Sequence, residues 1–394
     1  SRLCKGIDDD FSKKCLEAAE RSYEAAKAHP DMLAPLDESI GGGAYGDTDV
    51  EDEFYWAAME LFITTGNEDY YDETTDSQFF LDVPTTLGGG ESVDTVGSFD
   101  WGNTALLGTF SAALNPDSFD KGDVEIIGDA FAKAADHYIE MEENQGYGVP
   151  YGQSTLSYND SDKGYIWGSN SFVADNSIVM AYSYLLSGDE KYLDGAIGGM
   201  DYLLGRNAMD YSYVTGYGTH TTENPHHRYW ANQVDAAFPK APCGVMAGGP
   251  NSGMQDPWVQ GSGWKKGEIE PQKCYLDNIE AWSVNECTIN WNASLAWLTG
   301  FIAQENGGIE AGSTGSAAGI SNDGGKGESN TKATKKDNSP SEEKAAKTTK
   351  SRKDSESQED SGNVKMVAVI AGAAVVSLIS LELFVYKLIK LKKK

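Results

Sequence analysis

Seven stretches of the chain repeat apolar residues at intervals of three and four, the spacing that lines one face of an α-helix. In the first, over 10–29, Phe11, Cys15, Ala18 or Ala19, Ser22 and Ala26 share a face, and Pro30 closes the run. The same spacing predicts helices over 53–65, 104–114, 124–141, 176–186, 191–204 and 288–304. In the fourth of these, Ile127, Phe131, Ala134 or Ala135, Tyr138 and Met141 form the stripe. No alternating run is long enough to demand a sheet, so the pattern reads as all-α. Between the helices lie long segments rich in Gly, Asp and Trp, at 39–49, 87–102, 147–171 and 211–273. Long loops on a helical scaffold are where such a scaffold carries its chemistry.

The pattern changes at residue 307. From 307 to 364 the chain is Gly, Ser, Thr, Lys, Glu and Asp with hardly an aromatic, and such a composition cannot bury enough apolar surface to fold. A disordered linker is expected there. The region 365–387 is a predicted transmembrane helix: residues 366–386 are apolar except for Ser377, Ser380 and Glu382. That run can cross a bilayer at about 1.5 Å per residue. Its apolar residues go all round the helix, unlike those of a surface helix that buries one face. A basic tail follows at 388–394, and Lys-rich ends stay on the cytoplasmic side. The expected arrangement is a single-pass membrane protein at the cell surface, with residues 1–306 outside.

Composition narrows the function classes. A net charge of −30 repels a phosphate backbone, so nucleic acid is excluded as a partner. Aromatic residues make up 11% of the chain, a supply that suits stacking on the apolar faces of sugar rings. The five cysteines show neither a CxxC pair nor metal-ligand spacing; Cys4 and Cys15 could pair, and the rest read as small buried hydrophobes.

The stretch 275–293 carries the most chemistry. It sets Asp277 and Glu286 nine residues apart among Tyr275, Trp282 and Trp291, just before the apolar run 293–303. An acid held against aromatic rings loses hydration, so its pKa rises and it can stay protonated near neutral pH. A protonated carboxyl beside ring platforms is what splitting a glycosidic bond requires. The plainer readings are a helix N-terminal carboxylate for Glu286 and a turn or cap for Asp277. His220, His226 and His227 share one loop, but no Cys or HExxH-type spacing accompanies them to make a zinc site.

Taken whole, the spacing aromatic-x-Asp, four residues, aromatic, three residues, Glu-x-Thr, three residues, Asn-Ala resembles a signature of glycoside hydrolase family 9, the cellulase family. Its other signature is recognisable from Ser212-Tyr213-Val214-Thr215-Gly216-Tyr217-Gly218 to Pro225-His226-His227-Arg228. One position departs: His220 stands where the family usually carries Asn, Lys or Arg. Segments 41–56 and 167–172 are also similar, so the resemblance covers roughly residues 8–304.

The resemblance implies an (α/α)6 barrel, present here in part over 1–306, and inverting hydrolysis of β-1,4-glucosidic bonds in cellulose or cello-oligosaccharides. It implies Glu286 as general acid, Asp277 and His226 as active-site residues, and Arg228 on sugar hydroxyls with His226. Trp101, Trp167 and Trp291 lie in loops or at helix ends, and two of the three are expected to stack on glucosyl rings. Trp56 and Trp297, on helical stripes, are expected in the core. Asp49, Asp52 and Glu53 are candidate ligands for a structural calcium, with helix capping as the alternative. The chemistry itself requires no cofactor. The family's Asp-x-x-Asp loop, which supplies the base, has no counterpart; Asp49-Val50-Glu51-Asp52 has the spacing in another context. The chain therefore reads as N-terminally truncated and inactive alone. Other readings are an exo-acting cellodextrinase, an aminosugar hydrolase, or a non-catalytic surface protein that binds glucan.

Overall fold

The apolar stripes become helices. The computed structural model describes residues 1–33, 49–89, 92–153 and 164–307, and among these are ten α-helices. They are α1 (Asp9–Ala28), α2 (Glu51–Thr65), α3 (Glu68–Thr75), α4 (Ala105–Leu114), α5 (Lys121–Asn144), α6 (Ser169–Ser187), α7 (Glu190–Leu203), α8 (Pro257–Gly261), α9 (Trp282–Asn285) and α10 (Ile289–Glu305). Sheet structure among the described residues is limited to isolated bridges, so the all-α reading holds. No helix among the described residues is long and apolar enough to cross a membrane. The linker beyond Gly307, the apolar run at 365–387 and the basic tail lie outside the described residues.

Side-chain caps set several boundaries. Asp8, Asp120 and Asp189 accept first-turn amides of α1, α5 and α7, and Thr288 does so for α10. Each such cap contributes about 0.5–2 kcal/mol. The periodicity missed α3, α8 and α9, which are short, and it started α6 seven residues late. The cause in α6 is burial: every residue from Ser169 to Ser183 is buried, so no stripe marks the beginning of the helix.

The core gathers on α5, α6 and α10. Rings of Phe131 and Tyr182 stack at 5.5 Å, Tyr182 on Trp297 at 5.3 Å, and Trp297 on Phe301 at 5.5 Å. Aromatic pairs of this kind add about 0.5–1.5 kcal/mol each beyond the area they bury. The predicted α5 stripe is inside from Ile127 to Tyr138.

On α1 the buried face differs from the predicted one. Phe11 is 51% exposed, whereas Ser12 and Tyr23 are buried. Tyr23 sets the rotation: its ring meets Phe54 and Tyr70 edge-on, and its hydroxyl donates to the Glu73 carboxylate. All five cysteines are free thiols, so Cys4 and Cys15 do not pair.

Candidate active site

Glu286 sits in the short connection between α9 and α10, with an extended backbone (φ −60°, ψ 151°). The loop 211–273 clamps it from two sides. The His226 amide donates to the Asn285 carbonyl at 2.7 Å, and the Gly248 amide donates to the Glu286 carbonyl at 2.7 Å. The two sequence motifs thus meet at the backbone, paired as a parallel bridge between His226 and Glu286. Thr288 caps α10 with its hydroxyl, and the Glu286 side chain turns instead to Trp167, whose indole N–H donates to Oε2 at 3.0 Å. The helix-terminus reading of Glu286 therefore gives way to a fixed carboxyl facing an aromatic partner.

Burial raises the Glu286 pKa above the ordinary carboxylate range, against smaller opposing effects from the Trp167 hydrogen bond and the nearby His226. An indole N–H can only donate, so the oxygen it holds must accept. A carbonyl oxygen is the better acceptor, so the indole favours a carboxyl proton on Oε1, the oxygen that Trp167 leaves open.

Asp277 lies in the same cluster but in a supporting position. Its oxygens accept the amides of Glu223 and Asn224, each at 2.9 Å, and the side-chain amides of Asn224 at 3.3 Å and Asn285 at 3.2 Å. Fully buried Asn285 ties the motifs together: its amide also reaches the Asn224 carbonyl at 2.6 Å, and its oxygen accepts the Tyr275 hydroxyl at 2.7 Å. With these four donors on it, the Asp277 carboxylate joins the histidine loop to the residue before Glu286, a place from which it can position its neighbours. Sequence reading missed Asn285 because a lone Asn beside an acid carries no periodic or spacing signal.

The ring of His226 is held by its Nδ1, which donates to the Ile279 carbonyl, so Nε2 is the free nitrogen. His227 turns the other way: its Nδ1 accepts the amides of Tyr229 and Trp230, and its ring stacks on Trp230 at 4.0 Å. Burial and the adjacent His226 lower its pKa. Arg228 is exposed beside this loop.

The three candidate tryptophans have different fates. Trp167 and Trp101 are half-buried, but Trp291 is only 3% exposed, with its ring 6.2 Å from that of Trp101. Trp291 is therefore a floor under the site and not a stacking surface. Gly168 shows how tightly: it has φ +78°, and a Cβ there would come within 2.7 Å of the Trp291 ring. Trp297 is in the core as expected, whereas Trp56 is only half-buried.

The candidate calcium ligands do not converge. Oδ2 of Asp52 accepts the Thr104 amide at 2.6 Å and its hydroxyl at 3.1 Å, while Asp49 accepts the Glu51 amide at 3.1 Å. No group of three or more His, Cys, Asp or Glu among the described residues can hold a metal ion. Asp49 thus takes a first-turn amide of α2, and Asp52 ties α2 to the residue before α4.

Comparison with known proteins bears out the family resemblance. The family described as Glycosyl hydrolase family 9 matches residues 1–299. A cellulose 1,4-beta-cellobiosidase of Acetivibrio thermocellus is 44% identical over 77% of this chain, which spans 34% of that protein. Endoglucanase C of Cellulomonas fimi is 37% identical over 77% of the chain and 26% of its own length. The solved structure of a Bacteroides ovatus GH9 protein superposes with a TM-score of 0.59 at 32% identity, covering 76% of this chain and 50% of that one. The chain thus spans half, or less, of the length of these three relatives.

Proposed function

Because the chain belongs to glycosyl hydrolase family 9, we propose that it is the acid-bearing portion of an inverting β-1,4-glucanase built on an (α/α)6 barrel. The observation that carries this reading is the half-buried, Trp167-held Glu286 carboxyl paired through the backbone with His226. Glu286 gives its proton from Oε1 to the glycosidic oxygen as the bond to the anomeric carbon breaks. Oε2 stays on the indole, which fixes the carboxyl plane during the transfer. His226 and Arg228 donate to hydroxyls of the adjoining sugar, with Nε2 of His226 as the available ring atom. Trp167 and Trp101 offer half-exposed rings to glucosyl faces.

Inversion also needs a base on the opposite face, with the two carboxyl groups roughly 6.5–9.5 Å apart so that water fits between. We place that base in polypeptide preceding Ser1. The 394-residue chain alone should then release no reducing sugar from carboxymethylcellulose, and the chain extended upstream of Ser1 should do so. Hydrolysis by the unextended chain at an ordinary enzymatic rate, about 1–10³ s⁻¹, overturns this placement. Both exo and endo action fit the relatives, one of which is a cellobiosidase and another an endoglucanase.

The sequence of the tail supports anchoring of this unit at the outer surface of a membrane by residues 366–386. Fractionated cells should hold the full chain in the membrane pellet, and a chain ended at Gly307 should move to the soluble fraction. Full-length chain in the soluble fraction without detergent contradicts the anchor.

A further inference from the structure

The hydrogen bond from Trp167 to Oε2 of Glu286 joins residues 119 positions apart, one just before α6 and the other just before α10. One indole N–H is too weak a link to hold two such segments in register. The tie runs through a third segment, residues 247–250. On one side of it the Gly248 amide donates to the Glu286 carbonyl at 2.7 Å, and the Gly249 amide to the Val284 carbonyl at 2.9 Å. On the other side it meets Asn170, the second residue of α6 and three residues beyond Trp167.

Asn170 grips that segment twice. Its backbone amide donates to the Gly248 carbonyl at 3.0 Å, and its side-chain amide donates to the Ala247 carbonyl at 2.9 Å. The residue is fully buried, and Gly249, at φ +93°, leaves it room: a Cβ there would stand 2.5 Å from the Asn170 amide nitrogen. The Asn170 side-chain oxygen has no hydrogen-bond partner among the described residues. An open buried acceptor costs more than one made bond contributes, so stability alone does not account for an asparagine here. Its side-chain bond falls instead on the residue before Gly248, which holds Glu286. Asn176, further along α6, makes a matched comparison. It is equally buried and likewise leaves its oxygen open, but its amide donates to the Pro150 carbonyl at 2.8 Å and not to the 247–250 segment.

We propose that Asn170 is a positioning residue of the hydrolase site: it fixes the start of α6 on residues 247–248 and thereby keeps the Trp167 indole on the Glu286 carboxyl. Its catalytic meaning rests on the reading of Glu286 as proton donor, whereas the contact itself does not. When the indole withdraws, Glu286 loses the larger of the two effects that oppose its burial. The nearby His226 remains as the other, so the carboxyl pKa climbs further. The adjoining Cys287 thiol, pushed up to about 11 by burial and by Glu286, stays neutral while the carboxyl titrates.

The test is nitrogen NMR on the full chain with isotope-labelled tryptophan, the Trp167 indole resonance being the one lost in Trp167→Phe. Its shift should follow a titration that Glu286→Gln abolishes. Asn170→Ala should raise the midpoint by about half a pH unit or more, because a hydrogen bond that favours the carboxylate is weakened. Asn170→Ser, whose hydroxyl stops short of the Ala247 carbonyl, should do the same, and it carries the test should the alanine variant fail to fold. Asn176→Ala should leave the midpoint where it is. An unchanged midpoint in a folded Asn170 variant, an equal rise in Asn176→Ala, or a Trp167 resonance indifferent to Glu286 overturns the proposal. A raised midpoint supports the positioning even if Glu286→Gln keeps full activity on cellotetraose, the result that sinks the proton-donor reading alone.

Discussion

Glu286→Gln in the complete hydrolase is expected to lower kcat on cello-oligosaccharides by about 10²–10⁴-fold, the usual contribution of a general acid, with little change in KM. Glutamine keeps the carbonyl oxygen that accepts the Trp167 N–H but has no carboxyl proton to give. The same variant should gain stability at alkaline pH. Burial raises the folded pKa of Glu286 above its unfolded value, so its stabilising share is complete below the unfolded pKa and is lost as pH rises through the folded one. Thermal unfolding should therefore favour Glu286→Gln at pH 8 and show no difference at pH 4 or below. A variant less stable than the parent at pH 8 contradicts the burial argument.

The second large effect is expected at Asp277. Asp277→Ala removes the acceptor of four hydrogen bonds and leaves the Asn285 amide, in a fully buried side chain, with one partner fewer. A loss of about 2–4 kcal/mol in stability follows, since hydrogen bonds to a charged group are the stronger ones and buried donors must be left short. Activity should fall by about 10–10²-fold through kcat, because His226 and Glu286 lose the connection that holds them in register. Asp277→Asn keeps one acceptor oxygen and should recover part of both. The pH–rate profile separates positioning from proton transfer. If Asp277 only positions, Asp277→Asn keeps both limbs of the wild-type profile; loss of a limb makes it a reacting group.

Legibility in the sequence followed burial geometry. Helices with one wet face, such as α5 and α7, announce themselves by period, while α6 hides its first two turns because it is buried all round. Glu286 and His226 stood out because each lies in a long spaced motif. Their support was not: the Asn285 bridge and the Gly168 approach to Trp291 arise from contacts between residues far apart in the chain. Trp291 shows the limit in the other direction. A tryptophan beside a catalytic motif reads as a sugar platform, yet its position at the first turn of α10 drives the ring inward beneath two glycines.

Leaving-group dependence tests the role of Glu286 most directly. A glycosidic oxygen with the basicity of a sugar alkoxide needs the proton, whereas dinitrophenolate departs without one. For Glu286→Gln, kcat on a dinitrophenyl β-cellobioside should stay within about tenfold of the parent, while kcat on cellotetraose falls by about 10²–10⁴-fold. Equal losses on the two substrates would contradict Glu286 as the proton donor.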